Sequence, residues 1–323
     1  MDLKLQSNVT AQSPYVVSEK NTVAGNVVAL TLRHASGQRL PDWTPGSHID
    51  LILPNGMTRQ YSLCGDRWDP YSYRVAVLRE SEGRGGSALI HDHVKVGDHI
   101  GIGGPRNNFP MVPSQKYAFI AGGIGITPLL PMIRQAQVLG AEWRLLYGGR
   151  TRRAMAYLDD ISHMGGDVTI VPEDRGGLLP LAEWISEKPG FDTKLYACGP
   201  GRLLDAVEAL CTGRPLGTLR TERFVPRERS APVRNAPFDV ELARSGRTVT
   251  VRPGSSILDA VRACGVNVLS SCREGTCGTC QVTVLAGRPD HRDSILDDDE
   301  HRSQTSMFVC VSSSCSDKLV LDL

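Results

Sequence analysis

From about residue 15 to residue 104 the apolar positions fall in short alternating runs, at 26–32, 48–53, 73–78 and 99–102. Turns such as Thr44-Pro45-Gly46 and Pro54-Asn55-Gly56 separate them. Alternation with turn punctuation predicts an antiparallel barrel or sandwich. From about 114 to 224 the rhythm changes. Buried-strand runs at 117–121, 143–147, 168–171 and 194–198 alternate with helix-length stretches at 128–139 and 202–210. That is the βαβ pattern of a parallel sheet. Residues 226–237 are rich in Pro and Arg, nearly devoid of apolar side chains, and read as a linker. Beyond it, strand-like runs at 238–242, 248–251 and 281–285 accompany one helix at 256–263 whose apolar residues recur at helical spacing. The expected organisation is 1–110, 111–225, a linker at 226–237, and 238–323.

Composition narrows the classes. The 323 residues are 41% hydrophobic and 22% charged, enough apolar material for packed cores and too much for a disordered chain. A net charge of +1 gives no global field for nucleic acid or a membrane surface. No apolar run approaches the roughly 20 residues that span a bilayer, and residues 1–18 lack the basic-then-apolar order of a signal peptide. Nine cysteines are present, five of them from Cys264 to Cys310 and Cys315 just beyond. Without a secretory signal, that clustering points to a metal in a soluble, cytoplasmic chain rather than to disulfides. The last block holds 12 acidic and 9 basic residues and is net negative; its run at 297–300 reads as a solvated helix start.

The strongest chemical signal is Cys272-Arg-Glu-Gly-Thr-Cys277-Gly-Thr-Cys280, with twenty-nine residues intervening before Cys310. C-x4-C-x2-C is the plant-type spacing for a 2Fe–2S cluster, which needs two thiolates per iron. Gly275 and Gly278 allow the loop to bend around inorganic sulfur and bring N–H groups to it. A structural zinc site ordinarily uses paired C-x2-C knuckles, and one is present here. Cys264 and Cys315 fall outside the spacing and read as ordinary small residues.

A second signal is Gly122-Gly123-Ile124-Gly125-Ile126-Thr127-Pro128, between a strand and a helix. Glycines there let backbone N–H groups approach a pyrophosphate at a helix N-terminus. Tyr196-Ala197-Cys198-Gly199-Pro200 ends a later strand, so the two loops could share a crevice at the carboxyl ends of the sheet, although Cys198 reads equally as a packing thiol. A third signal pairs Arg59-Gln60-Tyr61-Ser62 with Gly83-Arg84-Gly85-Gly86-Ser87. Tyr61 and Ser62 offer a stacking face and a hydroxyl; Arg84 and Ser87 in a glycine-rich turn can hold a phosphate. No H-x3-H, H-E-x-x-H or G-x-S-x-G pattern appears, and His91 and His93 read as surface loop.

In this order the motifs resemble the phthalate dioxygenase reductase family, the single-chain reductase components of oxygenase systems within the ferredoxin–NADP reductase superfamily. The resemblance spans essentially the whole chain, including Asp290-His291-Arg292-Asp293 and the terminal Leu319-Val-Leu-Asp-Leu323. It implies an antiparallel β-barrel flavin domain, a parallel α/β nucleotide-binding domain and a C-terminal β-grasp ferredoxin. It implies FMN on Arg59, Tyr61 and Ser62, with Arg79, Arg84, Gly85, Gly86 and Ser87 at its phosphate and Ser62 near the hydride-accepting nitrogen. Gly122, Gly123, Gly125 and Thr127 would face the dinucleotide, with Gly199 and Pro200 in the same crevice, Cys198 the nicotinamide, and Phe224 would close the flavin face. Cys272, Cys277, Cys280 and Cys310 would hold the cluster. NADH is expected ahead of NADPH, although Arg150, Arg152 and Arg153 stand where a 2′-phosphate would lie. The implied partner of this monomer is a terminal oxygenase of the Rieske type. A haem monooxygenase partner, or a general flavin or ferric reductase, are the competing readings. Arg223 departs from the Ser or Gly expected at that position.

Overall fold

The computed structural model describes residues 13–186, 193–228, 231–296 and 298–323. Contacts divide the chain into one unit up to Glu222 and a second from Arg223.

The first unit opens with β1 (Tyr15–Ala24), β2 (Val27–His34), β3 (Ser47–Ile52), β4 (Thr58–Ser62), β5 (Tyr73–Leu78), helix α1 (Gly86–Asp92) and β6 (Gly101–Asn107). They form two antiparallel sheets, β1-β2-β5 and β4-β3-β6. Single bridges, Val16 to His99 and Leu63 to Val75, tie both pairs of edges. The six strands therefore close on themselves, which makes a barrel and leaves no open edge. Leu30, Ile49, Leu51, Val75, Val77 and Ile90 fill it. His91 is not on a loop: it lies in the last turn of α1, half-buried, with Nε2 2.9 Å from the Val77 carbonyl of β5.

The chain continues through β7 (Lys116–Gly122), α2 (Ile126–Val138), β8 (Glu142–Gly149), β9 (Asp167–Pro172), β10 (Thr193–Cys198), α3 (Gly201–Cys211) and β11 (Leu219–Glu222). The sheet is parallel, in the order β11-β10-β7-β8-β9. β7 is buried along all but its first residue, as a strand covered on both faces must be. The winding reverses between β7 and β10, so the loops after Gly122 and Cys198 leave neighbouring strands at the switch point. Barrel and sheet share a core: Val27, Cys64 and Ala76 pack in one cluster with Phe119, Met132 and Tyr157. Arg134 Nη1 donates to the carbonyls of Cys64 (3.3 Å) and Gly65 (3.1 Å).

The second unit holds β12 (Phe238–Leu242), β13 (Arg247–Val251), α4 (Ile257–Ala263), β14 (Gln281–Ala286), β15 (Pro289–Asp290), α5 (Asp298–Ser303), β16 (Ser306–Phe308), β17 (Ser313–Ser314) and β18 (Lys318–Leu321). The Ser256 hydroxyl caps α4 by accepting from Asp259 N at 3.0 Å. The sheet runs β13-β12-β18-β14-β16, with the chain-end strand β18 parallel to β12 at its centre. Leu258 and Val261 of α4 share a core with Val240 and Leu319. A hairpin, a crossing helix and a returning central strand make this a β-grasp. Of the acidic run at 297–300, Asp297 lies outside the described residues and the rest opens α5. The described part of the linker lies on this unit: Arg227 N donates to Ser294 Oγ (2.9 Å), and Val233 N to Asp290 Oδ2 (3.2 Å). Among the described residues no helix is long and apolar enough to cross a membrane.

Candidate active site and iron–sulfur loop

Three strand ends converge in the first unit. Ser62 is the last residue of β4, Cys198 of β10 and Glu222 of β11. Cys198 and Glu222 are paired in register across parallel strands, which sets their side chains on one face. Cys198 Sγ lies 3.9 Å from Glu222 Oε2, and the Ser62 hydroxyl also hydrogen-bonds the Glu222 carboxyl. Burial pushes Glu222 up to about 8, although its bonds to Ser62 and Cys198 pull the other way. Burial, and then the neighbouring carboxyl, push the Cys198 thiol well above its usual range. At neutral pH both groups hold their protons. Cys198 has no exposed surface, so a nicotinamide touches it only after the groups over it move aside. Glu222 is not legible in the sequence, where Thr-Glu-Arg-Phe carries no spacing signal.

The two glycine motifs meet beside this cluster. A Cβ on Gly125 would stand 2.2 Å from the Cys198 carbonyl oxygen, and one on Gly122 2.7 Å from Pro200 Cδ. These glycines are needed where they are because two loops touch backbone to backbone. Gly123 has φ of 54° with open space around its Cα, and a 3₁₀ turn at Gly123–Gly125 runs directly into α2. The buried Thr127 hydroxyl donates to the Ile124 carbonyl at 2.9 Å and fixes that turn. Arg150, Arg152 and Arg153, past the end of β8, are exposed.

The halves of the third motif also come together. Arg59 Nη2 donates to the Arg84 carbonyl at 3.0 Å, and a Cβ on Gly86 would overlap the Arg59 side chain at 2.6 Å. Gly85 takes φ of 81°, and Ser87 Oγ accepts from Glu80 N at 3.1 Å. Tyr61 is half-buried, and burial raises its phenol. Arg79 is held by Asp92 in a bidentate pair of 2.6 and 2.9 Å. Arg59 and the glycine-rich turn thus meet, with the guanidinium on the Arg84 carbonyl and the Gly86 backbone against the arginine stem.

In the second unit the four motif cysteines approach in two pairs: Cys272 hydrogen-bonds Cys277, and Cys280 hydrogen-bonds Cys310. These bonds hold Cys272 and Cys280 below the usual thiol range. Two pairs are what two irons with two thiolates each require. Gly275 and Gly278 have φ of 76° and 72°, and Glu274 N and Thr279 N donate to the sulfurs of Cys272 (3.3 Å) and Cys277 (3.4 Å). The loop therefore fits a 2Fe–2S cluster. Cys264 Sγ donates instead to the Val261 carbonyl at 3.0 Å, and Cys315 Sγ to that of Pro289 at 3.8 Å. Phe224, two residues past Glu222, is 41% exposed, and Arg223 is buried.

Residues 240–315 match the family model of the 2Fe-2S iron-sulfur cluster binding domain. Over 302 residues the chain is 43% identical to phenoxybenzoate dioxygenase subunit beta of Ectopseudomonas oleovorans, covering 93% of this chain and 94% of that protein. It is 37% identical over 312 residues to phthalate dioxygenase reductase of Burkholderia cepacia, covering 95% and 96%. The solved structure of a phthalate dioxygenase reductase superposes with a TM-score of 0.68 at 36% identity, covering 96% of this chain and 97% of that one. An intact type IV self-sufficient cytochrome P450 monooxygenase gives a TM-score of 0.90 at 40% identity, with this chain spanning 40% of its length. Barrel, parallel sheet and ferredoxin together define a reductase that carries electrons from a pyridine nucleotide through a flavin and a 2Fe–2S cluster. Within that class, the chain belongs to the phthalate dioxygenase reductase family, the reductase components of oxygenase systems.

Proposed function

We propose that this reductase takes electrons from NADH into FMN and delivers them, through the cluster held by Cys272, Cys277, Cys280 and Cys310, to a terminal oxygenase of the Rieske non-haem iron type. The oxygenase would act on an aromatic or small organic substrate, with the reductase a cytoplasmic monomer. The observation that carries this reading is the meeting of Ser62 and Cys198 at Glu222, with the Gly125 turn packed on the Cys198 carbonyl.

Bound flavin would supply the conversion of a two-electron hydride into single electrons that a cluster accepts. The chain's part is placement. Arg59, Arg84, Gly85, Gly86 and Ser87 would seat the phosphate, with Tyr61 against the ring and Ser62 donating at its edge. Arg79 would join them only by leaving Asp92. Gly122, Gly123, Gly125 and Thr127, with Gly199 and Pro200, would hold the dinucleotide, and Cys198 would set the nicotinamide. Phe224 would cover the flavin face. Glu222, protonated near neutral pH, would fix the Ser62 hydroxyl and pass it a proton. The short glycine-rich turn at Gly83–Ser87 favours FMN, and the family resemblance favours NADH, with the arginines after β8 the feature that would favour NADPH.

A haem monooxygenase is the second reading for the partner, favoured by the TM-score of 0.90 to the reductase part of a self-sufficient cytochrome P450. Acid extraction and chromatography should yield FMN and two irons per chain, and kcat/KM should be higher with NADH than with NADPH. FAD in the extract, or a clear preference for NADPH, contradicts the assignment. Reconstituted turnover with each oxygenase type separates the two partners.

A further inference from the structure

His291, Asp293 and His301 stand together in the second unit, as a group that includes none of the four cysteines. Each offers one ligand atom, and the three atoms all lie within 4.8 Å of one another. His301 Nε2 is 3.6 Å and His291 Nδ1 3.9 Å from Asp293 Oδ2. The two imidazoles stack, with ring centroids 4.6 Å apart and 24° between planes. The Asp293 side chain is fully buried and that of His291 is 8% exposed, while His301, in α5, is 30% exposed.

Their hydrogen bonding is incomplete on one side only. Asp293 Oδ1 accepts from the backbone N–H of Ile295 (3.0 Å) and Leu296 (2.9 Å). Those two bonds fix the carboxylate and aim Oδ2 at the imidazoles. Oδ2, both ring nitrogens of His291 and Nε2 of His301 have no partner within 3.5 Å at good angle; only longer contacts join Asp293 to the His301 ring and His291 to the His301 backbone. Buried polar atoms held only by long contacts cost stability, and three ligand atoms gathered within 4.8 Å of one another suit an occupant. The separations are too long for N–H···O bonds. They are close to the edge of a tetrahedron of ligands about 2.0–2.2 Å from a central zinc-class ion, which is roughly 3.4 Å.

We propose that His291, Asp293 and His301 bind a divalent cation of the zinc class, as three protein ligands with a fourth position open toward the exposed side of His301. Two imidazoles and one carboxylate are a donor set suited to such an ion, whereas magnesium and calcium favour oxygen. The backbone N–H groups on Oδ1 supply the outer bonds that orient a metal-binding carboxylate. The site also braces the cluster loop. Ser294 N donates to the Gly275 carbonyl at 2.9 Å, and the space a Cβ on Gly275 would enter is bounded by Val311 Cγ2 at 2.7 Å and Asp293 Cα at 3.1 Å.

The test uses the purified reductase with its cofactors in place, washed with chelator and equilibrated with zinc chloride at buffered free concentration. Zinc and iron are counted together by mass spectrometry, in wild type, His301→Gln and Asp293→Asn. His301 is partly exposed, so its variant should fold, and an unchanged iron content and visible spectrum verify that it has. Wild type is expected to take up one zinc per chain with no loss of iron, its zinc-edge X-ray absorption showing only nitrogen and oxygen neighbours. Removing an outer partner of a metal ligand already costs about 10–100-fold in affinity, so loss of a ligand should cost at least tenfold. Three results overturn the proposal: no zinc uptake by wild type, equal uptake by His301→Gln, or zinc gained as iron is lost with sulfur neighbours at the zinc edge.

Discussion

The strand-end cluster and the cysteine loop, the two sites of the proposed electron path, are built by opposite routes. Three of the four motif thiols come from one nine-residue loop whose glycines adopt φ near 75°. Ser62, Cys198 and Glu222 come from three strands spread over 160 residues of sequence, and they meet only because barrel and sheet share a core. The loop depends on local backbone geometry, so its motif is visible as a spacing. The strand-end cluster depends on tertiary packing, so a fault in that packing should disturb it while leaving the loop untouched.

The largest expected effect short of losing the cluster belongs to Cys198→Ala. If the thiol positions the nicotinamide, stopped-flow flavin reduction by NADH should slow by about 100-fold, the scale of a misplacement of about 1 Å, with FMN content unchanged. Reduction at the wild-type rate would return Cys198 to a packing role, as its full burial also allows.

Gly125→Ala comes next. The new methyl would sit 2.2 Å from a backbone oxygen, which cannot rotate away as a side chain can. A loss of about 1–3 kcal/mol is expected in the denaturant unfolding of the flavin-bearing unit, with a raised KM for NADH. The iron content of the same protein should be that of wild type. An unchanged midpoint would mean the two loops separate more readily than their contact suggests.

The last effect, smallest when read per pH unit, is a pH dependence. Glu222 has a folded-state pKa of about 8 against an ordinary 4.5, so between those values the folded chain holds a proton that the unfolded chain has lost. Stability therefore falls as pH rises through this window, by at most about 1.4 kcal/mol per pH unit, and levels off above it. Glu222→Gln should remove that slope from the temperature of flavin release measured between pH 5 and 9. Parallel wild-type and variant curves would show the carboxyl to be ionised throughout.

The same contrast explains what the sequence discloses. The C-x4-C-x2-C spacing, the glycine turns and the apolar runs of β7 and β10 are local, and each is legible from one stretch of chain. β1 escapes notice because its SEKNT stretch is half-exposed on the barrel wall and its register shifts twice. β11, four residues long and half-buried throughout, lacks any apolar run to betray it, and Glu222 is hidden with it. His301 lies ten residues from His291, a distance that no helix or strand period connects, and only the fold of the segment after β15 brings their rings together. Barrel or sandwich is not decided by alternation alone, since one of the two bridges that close the barrel joins Val16 to His99, far apart in sequence.

The central claim is that electrons enter at the strand-end cluster and leave through the cysteine loop. Cys310→Ser tests it most directly, because Cys310 is the one motif thiol contributed from outside the loop and its pair with Cys280 completes the set. NADH–ferricyanide activity and oxygenase-coupled turnover are measured side by side on the same preparation. The account predicts ferricyanide reduction close to wild type and coupled turnover reduced to background. Coupled turnover at the wild-type rate would mean that electrons leave directly from the flavin, and the reading of the second unit as the exit would fail.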